Sequence, residues 1–154
     1  MPKTKYSFED YNEFNVLKIP LLLSLLNGYM LKQIVILGLL FVSSIPFLNQ
    51  FAHEHFSIVL LLSSIPAILV IASASKRIPK TRSPLIKKIW RWGRFLLLSS
   101  LGLEIGFIIL YVTLGIQKLN EVNLMFLYID VVFIIYLIKS QRVRDVFTEF
   151  PEKE

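Results

Sequence analysis

Glu104 and Asp130 are the residues whose type and setting call for chemistry. Each is an acid inside an apolar run, 95–117 and 122–138. A carboxylate in hydrocarbon costs several kcal/mol, so it must be protonated, hydrogen-bonded, hydrated or paired with a cation. The functional outcomes are a proton or cation relay, or a charge that docks a partner. The structural outcome is a protonated carboxyl bonded to a neighbouring helix. No Lys, Arg or His stands at matching depth in any apolar run, so no cation of the same chain is expected beside either acid. At helical spacing Asn123, Asp130 and Gln141 share a face with Ile134 and Leu137, which predicts an inward or interfacial stripe. Glu104 groups with Ser100 and Tyr111. Ser99, Gly102, Gly106 and Thr113 fall on nearly the opposite side, a seam of small residues that lets another helix approach closely.

Other chemistry is poorly provided for. His53-Glu54-His55 offers two imidazoles and a carboxylate, but no second cluster supplies further ligands, so an ordinary polar turn and no metal are expected. There is no Gly-rich phosphate loop, no Gly-x-Ser-x-Gly elbow, no His-Glu-x-x-His and no Cys. A non-catalytic protein without a cofactor is the expectation.

The elements that position the two acids follow from where charges are missing. In 154 residues, 55% of them hydrophobic, positions 33–53 and 55–75 hold no Lys, Arg, Asp or Glu. Each run, as a helix, reaches ~32 Å, about the hydrocarbon thickness of a bilayer. A soluble globule, a nucleic-acid module and a disordered tail are thereby excluded. An all-α, polytopic membrane protein is predicted: one domain over 1–154, a four-helix bundle with spans 33–49, 56–75, 95–117 and 122–138. Segment 1–15 is polar, without the basic start and cleavage site of a signal peptide. Segment 16–31 has too short a charge-free gap between Lys18 and Lys32 to cross, and reads as an interfacial amphipathic helix bent at Gly28. A short fifth span is the alternative.

The net charge of +6 has a topological explanation. Eight of the seventeen Lys and Arg lie in the loop 76–94, with no acid among them: Lys76, Arg77, Lys80, Arg82, Lys87, Lys88, Arg91 and Arg94. The tail 139–154 adds Lys139, Arg142 and Arg144. The positive-inside rule then places both termini and this loop in the cytoplasm, which requires an even number of spans. The eight cations either solvate at the headgroups or contact anionic lipid or a partner. Leu85 to Arg94 suits an amphipathic lead-in helix, with Trp90 and Trp92 in an interfacial belt. Ser-Ser-Ile-Pro occurs twice, at Ser43–Pro46 and Ser63–Pro66. Pro46 and Pro66 predict kinks at mid-depth, where Ser hydroxyls or a neighbouring helix must cover freed carbonyls.

Arg77-Ile78-Pro79-Lys80-Thr81-Arg82-Ser83-Pro84 before an apolar helix, and Tyr136-Leu137-Ile138-Lys139-Ser140-Gln141-Arg142-Val143-Arg144 with Phe147, resemble a family of small uncharacterised bacterial inner-membrane proteins. Its members have four spans, a basic Pro-containing middle loop and a Tyr-x-x-Lys-Ser-x-Arg-Val ending. The resemblance implies the same topology in a bacterial inner membrane and carries no activity or functional residue with it.

Two functional expectations follow. The first is a non-catalytic component that assembles with itself or a larger membrane partner through the seam of small residues and the Asp130 stripe, as accessory, immunity or sensor proteins do. The alternative is an oligomeric ion or proton channel, or small transporter, lined by Asp130, Asn123 and Glu104.

Overall fold

The computed structural model describes residues 5–42 and 44–151. It is all-α, and no strand is present among the described residues. After a 3₁₀ turn at Phe8–Asp10 the helices are α1 (Leu21–Met30), α2 (Lys32–Val42), α3 (Pro46–His55), α4 (Ile58–Ser63) and α5 (Ile65–Ser75). The second half holds α6 (Pro84–Arg91), α7 (Gly93–Thr113), α8 (Glu121–Lys139) and α9 (Gln141–Thr148).

Two helices, α7 and α8, are long and apolar enough to cross a membrane, with 21 and 19 residues. A third candidate is the pair α1 and α2, which passes the same test together and bends by 46° at Leu31. This corrects the reading of the first 55 residues. Segment 16–31 is not helical throughout: α1 starts at Leu21, and its Leu23, Leu26 and Met30 lie in the core with Ala67, Val70, Leu97, Leu101 and Leu137. Nor do residues 33–49 form one span, because helix ends at Val42 and restarts at Pro46. Proline lacks an N–H and suits the first turn of a helix better than its interior. Ser43, from the first Ser-Ser-Ile-Pro, lies outside the described residues.

The second such string divides 56–75 at Ser64, with Pro66 in the first turn of α5. The expected compensation is present. The hydroxyls of Ser63 and Ser64 donate to the Leu60 carbonyl, at 2.7 and 3.4 Å, and Ser100 on α7 donates to the Ser63 carbonyl. Four undivided spans are therefore not what the chain builds, and neither half of α4–α5 reaches span length alone.

The two chain ends meet the 76–94 segment at one end of the bundle, and Arg77 is their centre. It is buried, and donates to the Leu17 carbonyl at 2.8 Å and to the Glu149 carbonyl at 3.0 Å. Burial lowers its pKa to about 10, opposed by the charge of Glu149, so it stays a cation at neutral pH. The Trp90 indole, 4.8 Å from the guanidinium, donates to the carbonyls of Val146 and Glu149 at 3.1 and 3.0 Å. The Glu149 carboxylate in turn accepts from the Leu17 amide at 2.8 Å. Two expectations fail here. Arg77 is tied to backbone, not free for lipid, and Trp90 is 1% exposed, so only Trp92 keeps a surface position. The lead-in helix itself is present as α6.

Candidate functional site

The broken helix α1–α2 turns its lysine inward. Leu31 closes α1 with its amide on the Gly28 carbonyl at 3.1 Å, and α2 starts at once with Lys32. Lys32 Nζ lies 2.6 and 2.7 Å from the two carboxylate oxygens of Glu104, at the centre of α7. It also sits 3.7 Å from the centroid of the Tyr29 ring, a cation–π contact. One helical turn before Lys32, the Tyr29 hydroxyl donates to Asp130 Oδ1 at 2.7 Å and to the Phe126 carbonyl at 3.2 Å. The Tyr29 ring lies against Phe133 on α8, 5.5 Å between centroids. Three elements thus converge: α1–α2 brings the cation and the phenol, and α7 and α8 bring one acid each.

This overturns the central electrostatic expectation. Glu104 does have a cation from its own chain, because Lys32 stands at the middle of a broken helix rather than at the start of a span. The long aliphatic stem lets its ammonium reach inward while the backbone stays helical. Glu104 and Asp130 are both fully buried. With both ionised, the cluster holds two negative charges and one positive. Asp130 Oδ2 is buried with no hydrogen-bond partner, as are both amide atoms of Gln33, the residue after the lysine, and Asn27 Oδ1 on α1. Buried polar atoms are almost always paired, so this concentration along one broken helix is unusual.

The remaining predicted residues separate into three groups. Asp130 shares its inward stripe with Asn123 and Leu137, all buried, while Gln141 lies exposed beyond the break at Ser140. Asn123 is not part of the charge cluster: its side chain donates to the Lys118 carbonyl at 3.3 Å, at the far end of α8. Tyr111 is near that end too, its hydroxyl 3.5 Å from that of Ser57. Within the chain, Asn123 and Tyr111 therefore stand apart from the Lys32–Glu104–Asp130 cluster. His55 stacks on Phe51 and turns Nε2 to Asn120, whereas Glu54 takes Gln50 and His53 faces outward, so the triplet does not converge.

The seam on α7 faces outward. Gly102, Gly106 and Thr113 are exposed, Ser99 is half-buried, and a Cβ added to either glycine meets nothing within 4 Å. The packed side is the one that carries Leu97, Ser100, Leu101, Glu104 and Ile108. The acid-bearing side of α7 is therefore the one turned into the bundle, and the seam of small residues is left on its outer side. The ion pair and the Ser100 bond explain the outcome, since both need partners that only the bundle interior supplies. Of the eight loop cations, Arg77 and Arg94 hold backbone carbonyls and the other six are exposed.

Fold and site together define an all-α protein with membrane-type helices around an internal charge cluster. The chain belongs to the family described as "Protein of unknown function (DUF2919)", whose model matches residues 6–149. No curated protein and no solved structure matches the chain.

Proposed function

We propose that this protein is a non-catalytic, four-crossing integral membrane protein whose buried cluster takes up a proton or a small cation. The carrying observation is the unpartnered Asp130 Oδ2, fully buried beside a Lys32–Glu104 pair that already satisfies the only ammonium within reach among the described residues. One positive charge completes the cluster, and a proton or a monovalent cation supplies it. The helix break at Leu31 gives the site a moving part, because a change in charge at Asp130 acts through Tyr29 on the same turn that carries Lys32. The crossings in this reading are α1–α2, α4–α5, α7 and α8, with Lys32, Glu104 and Asp130 near the centre of theirs. The meeting of both termini with segment 76–94 at one end supports an even number of crossings. The cations there favour a cytoplasmic location by the positive-inside rule, in a bacterial inner membrane.

The test is reconstitution in liposomes, with an imposed pH gradient in one arm and sodium or potassium gradients in another. Uptake is expected in at least one arm, and Asp130→Asn is expected to abolish it while the protein still elutes as a folded species. Identical fluxes for the two proteins, or none with the parent, would remove the reading.

Assembly with a second copy or a larger partner is the other reading, favoured by the outward Gly102–Gly106 face of α7. It no longer rests on Asp130, which is enclosed by its own chain. Gly102→Leu with Gly106→Leu should then reduce the size of the complex extracted in mild detergent. An unchanged size would count against this face.

A further inference from the structure

A cleft of about 330 Å³ opens where α7 begins, between that helix and α9. Arg91, Arg94 and Arg144 line one part of it, and Phe95, Leu98 and Phe147 another, with no acid in its walls. We propose that this cleft binds the phosphate headgroup of an anionic phospholipid, with the arginines on the phosphate and Phe95 and Leu98 along the start of an acyl chain.

The three arginines are free for this purpose to different degrees. Arg94 is fixed, its Nε donating to the Leu137 carbonyl at 2.9 Å and its Nη2 lying 3.5 Å from the Ile138 carbonyl, which leaves Nη1 to a ligand. Arg91 and Arg144 are exposed, and among the described residues no carboxylate lies within ion-pair distance of either. Asp145, the acid next to Arg144, is already held by Lys5 Nζ at 2.6 Å and by the Tyr6 hydroxyl at 2.5 Å. Guanidinium groups offer several donors in a planar fork that matches phosphate oxygens. Three of them line one cleft, with no ion pair to a carboxylate among the described residues, an arrangement suited to an anion.

The apolar part selects the kind of anion. Phe95 is 60% exposed and stands edge-on to Trp92, itself 54% exposed, with 5.9 Å between ring centroids. Trp92 caps a membrane-type helix and Phe95 lies in its first turn, at the boundary where the basic end meets the apolar shaft. A phosphate in water, or an acidic peptide, would leave these rings uncovered. A phospholipid covers both parts at once, its headgroup at the charged rim and its chain along the helix. Gly93 makes the cleft's back wall possible, because the Phe147 ring occupies the space that a Cβ there would fill.

The experiment uses the full-length protein in mild detergent, with binding of phosphatidylglycerol and phosphatidylcholine followed by native mass spectrometry. Phosphatidylglycerol should be retained preferentially, and Arg91→Gln with Arg144→Gln should weaken its retention about tenfold, the loss expected for two charge-assisted contacts. Lys80→Gln with Arg82→Gln removes the same charge from the same end and should change retention by about threefold or less. Equal losses in the two double variants would reduce the effect to net charge and overturn the site. Inorganic phosphate and glycerol phosphate form the competing arm. Displacement of the lipid by either at equal concentration would make this a free-phosphate site and overturn the lipid assignment. A photo-reactive phosphatidylglycerol supplies a readout on the parent protein that needs no variant. Cross-links should gather on 91–98 and 141–148, and an even spread around the helices would also sink the proposal.

Discussion

Two buried polar regions hold this protein together, and they are built on opposite plans. At the terminal end, Arg77 sits among backbone carbonyls, with Trp90 sharing two of its acceptors. Among the described residues the charge acting on it is that of Glu149, and its work is to tie three distant stretches of chain. At mid-bundle, Lys32, Tyr29, Glu104 and Asp130 join three helices mainly through side chains, with two acids for one ammonium. The first region is the kind that structure alone requires. The second carries one acid more than structure requires, and that excess is what points to uptake of a proton or cation. A buried ion pair is weak evidence for stability, because desolvation offsets much of the attraction. An uneven one has still less to offer as scaffolding.

The largest effect is expected at Lys32. Lys32→Met leaves Glu104 buried without its cation and should destabilise the protein by about 3–5 kcal/mol. Adding Glu104→Gln removes the stranded charge and should recover most of that loss. Thermal unfolding in detergent, followed by circular dichroism, reads both. If single and double variants lose the same amount, the pair is not neutralising one another and the cluster has been misread. Arg77→Ala comes next, at about 2–4 kcal/mol, since it strands carbonyls of Leu17 and Glu149 that no solvent replaces easily. Neutralising Glu149 should give no comparable rescue, because the acceptors are backbone. Limited proteolysis should cut near Glu149 in the variant and not in the parent; identical digestion patterns would contradict the tie.

How much of this was legible in the sequence depends on which residue is asked. Asp130, Asn123 and Leu137 share an inward stripe, as helical spacing requires, and Pro46 and Pro66 mark real helix breaks. The lead-in helix before α7 was equally plain from its spacing. What failed was Lys32. Counting charge-free runs makes every lysine a boundary, and a lysine neutralised inside a bundle violates that assumption without leaving a gap in the pattern. A usable signal existed in the strongly apolar stretch 16–31, with Gly28 and Tyr29 one turn before the lysine. Taken with 33–42, it forms one broken helix with a cation at its centre. Arg77 and Trp90 were hidden for a different reason. Their partners are carbonyls more than 50 residues away, which no local pattern announces. The outward turn of the Gly102–Gly106 seam follows from the same ion pair, which draws the opposite side of α7 inward.

Packing at the terminal end gives a smaller effect. Gly93→Ala drives a methyl into the Phe147 ring and should cost about 1–3 kcal/mol, because a close-packed aromatic has limited room to move. Phe147→Leu should lose less in the Gly93→Ala background than in the parent. Additive losses in the double variant would show that the two residues do not meet.

The smallest expected effect lies at the rim of the same end and is a matter of pH. Lys5 and Tyr6 donate to the Asp145 carboxylate, and these hydrogen bonds hold its pKa below the ordinary value of 3.8. A carboxyl whose folded pKa is depressed contributes its stabilisation above the unfolded value and loses it as pH falls through the folded one. Between neutrality and about pH 4 the clasp should therefore stay closed. Further acidification should release the N-terminal segment before the helices melt, because Arg77 keeps its charge throughout. The partner, Lys5, has its pKa raised by the same bond, so the clasp also opens at the alkaline extreme, as pH rises past the ordinary 10.5 of lysine. Hydrogen exchange over residues 5–18 as a function of pH separates this from global unfolding. Protection should fall at the acid end in the parent and be low at every pH in Asp145→Asn. Protection lost already near pH 6 would mean that a different group holds the N-terminal segment. A second ion pair, Arg142 with Asp10 at 2.8 Å, joins the same segment to α9, and Asp10→Asn should leave the Asp145 transition in place.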